Sequence, residues 1–233
     1  MKYPDPLLIL YESYGVDIAL VKDFFAGKKY AYVVLENGNI GISANIENSE
    51  NFDISDVKKD DFGSYRNRLF LLAYFNALLN YNGKKFSEED IFNIIDFSLY
   101  ENIVMIGYSE PMYKKFSDKI KPAVFDYSSD EPFIKKQNLM PEYLKKSDVL
   151  ILTGTSIINN TFSEIIAGVS PDCDVCLVGP SVTLSEDILR MYGLKGIFGT
   201  LFRDNVPVIA DFIKDNFGTD ILKKYGEKVA LIK

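Results

Sequence analysis

The hydrophobic pattern changes its period near residue 100. Before it, apolar positions alternate or recur at helical spacing between polar breaks; after it, short, fully apolar runs alternate with helical stretches. In the first part, Leu7, Leu8, Leu10, Tyr11 and Tyr14 have helical spacing from Asp5 onward, and Gly15 is a stop. Residues 16–22 read as a first strand. Residues 29–35 alternate, Asn37-Gly38 turns the chain, and residues 40–46 return, which predicts a hairpin closed by a type I′ turn. The acidic stretch 47–63 reads as a solvated loop. Residues 65–81 form a helix that is apolar nearly all round from Phe70 to Leu79, except for Asn76. Such a helix lies between two layers, and a buried Asn76 needs a hydrogen-bond partner. Asn82-Gly83 ends the helix, and Ser87 caps another over 88–97.

In the second part, residues 103–106 form a buried strand ending at Gly107, Ser109-Glu110-Pro111 opens a helix through Phe116, and a strand over 123–125 ends at Asp126. A polar connection over 128–146 holds a short helix at 142–145. Two apolar runs, 149–152 and 175–178, end in Thr153-Gly154-Thr155-Ser156 and Gly179-Pro180-Ser181, the pattern of buried parallel strands. The capping-box patterns Thr161-x-x-Glu164 and Thr183-x-x-Glu186 start the helices that follow each run, and Gly193 stops the second. A fifth strand, 196–198, ends at Gly199-Thr200; an amphipathic helix over 206–217 and a last strand over 228–232 close the chain. The fold class is therefore α/β: a small α+β domain over 1–98, with a three-stranded meander and helices, followed by a Rossmann-like parallel-sheet domain over 99–233.

Composition narrows the function. With 233 residues and 47% hydrophobic content the chain can bury a sizeable core. A net charge of −7 argues against nucleic acid or an anionic membrane as partner. The chain has no apolar run of about 18 residues and no apolar signal region at its start, which leads to an expectation of no membrane partner and a cytoplasmic location. The sequence holds no histidine, which removes the usual base near neutral pH, Ser-His and Cys-His nucleophile pairs, and imidazole metal ligands. Cys173 and Cys176 are spaced as C-x-x-C, but Cys176 begins a strand, where positions three apart face opposite sides, so both read as core residues.

The candidate site is the edge where Gly107, Gly154, Gly179 and Gly199 follow their strands, in register with the hydroxyls of Ser109, Thr155, Ser156, Ser181 and Thr200. Ligands of open parallel sheets bind beyond the carboxyl ends of the strands, where glycine lets backbone amides approach them. Asp126 lies 19 positions after Gly107, a distance at which an acid contacts ribose in dinucleotide folds. The first turn, however, lacks G-x-G-x-x-G, which disfavours NAD and leaves a nucleoside, a pterin-like ring or a small carboxylated ligand, with Tyr108 or Tyr127 as stacking surfaces. Arg66 and Arg68 read either as an anion-binding pair or as solvent-facing partners of Asp60 and Asp61.

The stretch SDVLILTGTSIINNTFSEII followed by CLVGPSVTLSEDILRMYGLKGIFGT resembles the family of putative heavy-metal chelation domain proteins, through Thr153-Gly154, Asn160-Thr161, Gly179-Pro180-Ser181 and Gly199-Thr200. The resemblance covers most of 100–205 and extends, more weakly, to the hairpin and the Arg68 to Leu78 helix. It implies a Rossmann-like carboxyl domain behind an amino-terminal domain like that of enolase, and a metal-related role. Without histidine, side-chain ligation of a divalent metal would fall to Asp126, Glu131 or Glu36, or the metal would arrive inside a metal-chelating metabolite. Three readings follow. The chain is a binding or chelation protein for such a ligand, held between the domains by Gly107, Ser109, Asp126, Thr153 to Ser156, Asn160, Gly179 to Ser181, Gly199 and Thr200. Alternatively it is an enzyme acting on a nucleoside-, pterin- or S-adenosyl-like ligand. A third reading is a homo-oligomeric scaffold whose glycines only end strands.

Overall fold

The structure is a computed structural model describing residues 3–50, 52–82, 86–216, 222 and 224–233. Helix α1 spans Pro6–Tyr14; the Asp5 carboxylate caps it by accepting from the Leu7 N–H at 3.0 Å, and Gly15 ends it at φ 66°. The first strand does not occupy 16–22. Asp17 caps a single 3₁₀ turn over Ile18–Leu20, and β1 follows as Val21–Ala26. Strands β2 (Tyr30–Leu35) and β3 (Ile40–Ala44) complete an antiparallel meander in the order β1-β2-β3. Their hairpin is not type I′, because Gly38, at φ 88°, has positive φ and Asn37 does not. The Gly38 N–H donates to the Leu35 carbonyl and the Leu35 N–H to the Asn39 carbonyl, so a type I turn is followed by a left-handed glycine.

Helix α2 spans Tyr65–Leu79 and is buried over most of its length. One side packs on β2 and β3, and the other joins a core that continues into the second sheet through Leu150, Leu152, Leu177 and Ile197. Asn76 is buried and satisfied: its Nδ2 donates to the Ile42 carbonyl at 2.8 Å, and its Oδ1 accepts from Thr183 Oγ1 at 2.5 Å. Gly83, read as the end of this helix, lies outside the described residues. The helix expected over 88–97 is α3, only Ile91–Ile94, capped by Asp90 rather than Ser87; Ser87 instead bridges to Ala230.

Among the described residues the second sheet has six strands: β4 (Ile103–Ile106), β5 (Ala123–Phe125), β6 (Val149–Thr153), β7 (Asp174–Val178), β8 (Gly196–Leu201) and β9 (Glu227–Ile232). Their order is β5-β4-β6-β7-β8-β9, parallel throughout except for β9, which runs antiparallel to β8. The connections are α4 (Glu110–Tyr113), α5 (Met140–Lys146), α6 (Thr155–Ile158), α7 (Phe162–Gly168), α8 (Glu186–Met191) and α9 (Val206–Lys214). Alternation along the strands feeds two cores. Val104, Leu150 and Leu177 face α2, α5, α7 and α8, while Met105, Ile151 and Cys176 face α3 and α4. Helix α9 packs on the outer face of the meander, where Ile209 and Ile213 meet Tyr32, Val34 and Ile42. It ends at Lys214, and Phe217 lies outside the described residues.

Neither expected capping box forms. Thr161 makes no cap bond and donates its hydroxyl to Asn159 Oδ1, and the cap of α8 is Ser185 because the Thr183 hydroxyl is taken by Asn76. Helix α4 stops at Tyr113, short of Phe116. Strand β8 runs through Gly199 and Thr200 rather than ending before them. Among the described residues no helix is long and apolar enough to cross a membrane.

Candidate functional site

Strands β4 and β6 are adjacent, but the chain leaves β4 toward β5 on one side and passes from β6 toward β7 on the other. This is the switch point of the sheet, where the loops after neighbouring strands part and a crevice opens beyond the carboxyl ends. Gly107 adopts φ 87° there, and a side chain on it would overlap Thr153, so glycine is required both by the turn and by the closeness of β6. Thr153 Oγ1 lies 2.7 Å from Thr155 Oγ1, and Ser156 Oγ donates to the Thr153 carbonyl at 2.8 Å. Gly154 has no positive φ; its place is set by the next turn, since a Cβ would come within 2.9 Å of the Ser181 carbonyl.

After β7, Gly179 turns at φ 120°, and Ser181 Oγ accepts from the Ala44 N–H at 2.9 Å. That bond ties the end of the meander to the end of the parallel sheet. At the other end of the switch, Asp126 Oδ2 accepts from the Tyr108 N–H at 2.6 Å, and its Oδ1 accepts from Ser128 N and Oγ at 2.7 and 2.8 Å. Both carboxylate oxygens of Asp126 thus hold the loops in shape. Gln137 Nε2 donates to the Asp126 carbonyl at 2.9 Å, while Gln137 Oε1 is buried with no partner.

These elements enclose a crevice of about 1080 Å³. Gly107, Ser109, Asp126, Thr153, Gly154, Thr155, Ser156, Gly179, Pro180 and Ser181 all line it, with Tyr108 and Tyr127. Its second wall comes from the meander, through Tyr30, Ala44, Ile46 and Glu47, and its third from α5 and α7. Among the described lining residues, Glu47, Glu110, Asp126 and Glu164 are acidic and Lys145 is basic. Gly199 and Thr200 line a second, smaller recess that adjoins the crevice at the Gly179-Pro180 turn. Asn160 lines neither; it forms the turn between α6 and α7 at φ 60°, flanked by Asn159 and Thr161, which do line the crevice.

Arg68 is neither solvent-facing nor paired with Asp60 or Asp61. It is buried, forms an ion pair with Asp5, and donates to the carbonyls of Phe62, Ile157 and Ile158. Arg66 Nε donates to Ser49 Oγ, and its guanidinium lies over the Phe52 ring. Cys176 lies within β7 rather than at its start. Its side chain joins one core, while that of Cys173 turns to the other, with Sγ 3.2 Å from Ser147 Oγ. Burial pushes the Cys176 thiol up to about 12 and also raises that of Cys173.

The donor set does not fit direct ligation of a heavy metal. The chain has no histidine, Cys176 is buried in one core while the half-buried Cys173 packs against the other, and no group of three Cys, Asp or Glu among the described residues could hold an ion. Asp126, Glu131 and Glu36 make no such group. The meander wall and Gln137 carried no sequence signal. Tyr30 and Ala44 reach the crevice through strand register and the Ser181 bond, and Gln137 sits in a polar segment that reads as a connection.

A family profile described as putative heavy-metal chelation, DUF364, matches residues 90–232. Two solved structures are similar over nearly the whole chain. One, a protein of unknown function from the DUF364 family of Pyrococcus horikoshii, is 16% identical with a TM-score of 0.76, over 91% of this chain and 93% of its own. The other, a DUF364 protein of unknown function from Desulfitobacterium hafniense DCB-2, is 18% identical with a TM-score of 0.74, over 97% of this chain and 98% of its own. The curated proteins contain no match.

Proposed function

We propose, because the chain belongs to the DUF364 family of putative heavy-metal chelation proteins, that it binds a small organic ligand with metal-chelating groups in the crevice at the switch point. The observation that carries this reading is the crevice itself: about 1080 Å³, walled by two sheets and lined by hydroxyls, beside a donor set unfit to hold a bare metal. A volume of that size matches small-molecule sites generally. In this reading the metal enters as part of the ligand, and the protein supplies hydroxyl and backbone donors around it. Among the described lining residues the excess of carboxylates over Lys145 works against polyphosphates and supports a neutral or cationic ligand.

Native and denaturing mass spectrometry, with elemental analysis of the same gently purified sample, tests the reading. A stoichiometric organic species, with or without metal, is the expected result. Stoichiometric metal with no organic species would overturn it in favour of direct ligation, and a ligand-free protein that takes up no chelate would remove the crevice as a binding site. Thr155→Val, which keeps side-chain volume but removes the hydroxyl beside Thr153, is expected to weaken binding of that species about tenfold, the size of effect a lost hydrogen bond gives. Gly154→Val is unsuited to this purpose, because its side chain would strike the Ser181 carbonyl.

A further inference from the structure

The crevice does not end at the Gly179-Pro180 turn. A second recess of about 220 Å³ lies against it, on the α3–α4 face of the sheet, and the two share Ser109, Pro111, Met112, Val178, Gly179 and Pro180 as lining. Gly179 stands at the junction, with nothing within 4 Å of the position a Cβ would take. The lining of the recess is largely apolar, with Ile91, Phe92, Met112, Phe198, Leu222 and Val229. The charged groups of its lining are paired with one another, Lys115 and Lys228 both binding Asp90, at 2.8 and 2.5 Å.

We propose that this recess is a second subsite, which takes an aromatic ring or a branched alkyl group carried by the ligand of the crevice. The inference rests on the crevice reading for its polar half. Three observations select the occupant. The recess is too small for a drug-sized molecule, whose sites run from about 300 Å³ upward, yet larger than the cavity of about 150 Å³ that holds benzene. Its wall offers contact area but few hydrogen-bonding groups, so it selects by shape and burial. It shares Ser109, Pro111, Met112 and the Val178 to Pro180 turn with the crevice, so an arm that fills it can belong to a molecule whose polar body lies among Thr153, Thr155 and Asp126.

Iodobenzene is the probe, because it offers apolar surface and an anomalous scatterer without a polar group. Protein stripped of small molecules is expected to bind one equivalent saturably, with the iodine between Met112, Phe198 and Val229 in soaked crystals. Iodine only elsewhere, or no saturable binding by wild-type protein, overturns the proposal. Met112→Trp, at a half-buried position on α4, is expected to fill the recess and weaken iodobenzene binding at least tenfold with its cooperative melt kept; unchanged binding by the folded variant counts against the site. Protein still carrying a stoichiometric organic species is expected to refuse iodobenzene, and simultaneous occupancy overturns the claim that the arm lies in the recess. Failure of the crevice reading is seen separately, as the absence of any copurified or added chelate, whatever iodobenzene does.

Discussion

Arg68 is the largest fully buried side chain, and its position makes it structural. The guanidinium, carried on α2, joins Asp5 at the start of α1, Phe62 before α2, and Ile157 and Ile158 in α6, so three further segments meet on one cation. Removing it leaves a carboxylate and several carbonyls without their donor. Arg68→Leu is expected to cost about 3–5 kcal/mol in urea unfolding, the cost of breaking a buried pair from one side. Asp90 supplies a pH signature. Burial would raise its carboxyl, but hydrogen bonds from Lys115 and Lys228 outweigh that effect and hold it down at about 2. A carboxyl lowered in the folded state stabilises above its unfolded value of 3.8, and the contribution disappears as pH falls toward 2. Asp90→Asn is therefore expected to flatten the loss of stability between about pH 4 and 2 in acid titrations followed by circular dichroism. The thiols should match their burial: Cys176 is expected to resist iodoacetamide in the native protein at pH 8 and to react fully once unfolded, since only thiolate is nucleophilic.

At the scale of elements, the contact between β3 and α2 is the tightest constraint. A side chain on Gly41 would overlap the Ala73 carbonyl and the Ala77 amide of α2, so the strand lies directly on the helix backbone. Gly41→Val is expected to destabilise by about 1–3 kcal/mol or to prevent folding, read as a lowered urea midpoint. Much of this scale was legible in the chain. The apolar runs at 103–106, 149–152 and 175–178 are strands because parallel strands covered on both faces have no polar side to show. The all-round apolar surface of α2 likewise reported burial between two layers. Local patterns failed where a distant partner won. Thr183 was free to cap α8 in sequence, but Asn76, more than a hundred residues earlier, takes its hydroxyl. Gly199 looked like a strand end, yet β9 pairs alongside it and carries β8 on to Leu201. The crevice floor was readable from the small residues after each strand, whereas its meander wall depends on the bond between Ala44 and Ser181, which no local pattern reports.

At the scale of the molecule, one buried cluster draws residues from both sides of residue 98. Leu7, Phe70, Phe75, Leu150 and Leu177 belong to one continuous cluster, and α9 covers a sheet made from residues 21–44. Calorimetry is expected to show one cooperative transition, with the calorimetric and van't Hoff enthalpies equal; two separable transitions would show that the parts fold apart. The placement of α9 bears on synthesis as well as stability. Strand β3 ends at Ala44 and α9 begins at Val206, so about 160 residues are made before the outer face of the meander meets its cover. At a translation rate of about 5–20 residues per second, Tyr32, Val34 and Ile42 wait roughly 8–30 seconds on the nascent chain without their native neighbours. For that interval the meander is a natural client for whatever holds apolar strands apart on the ribosome, and slowing elongation upstream of residue 206 should lower the yield of native protein.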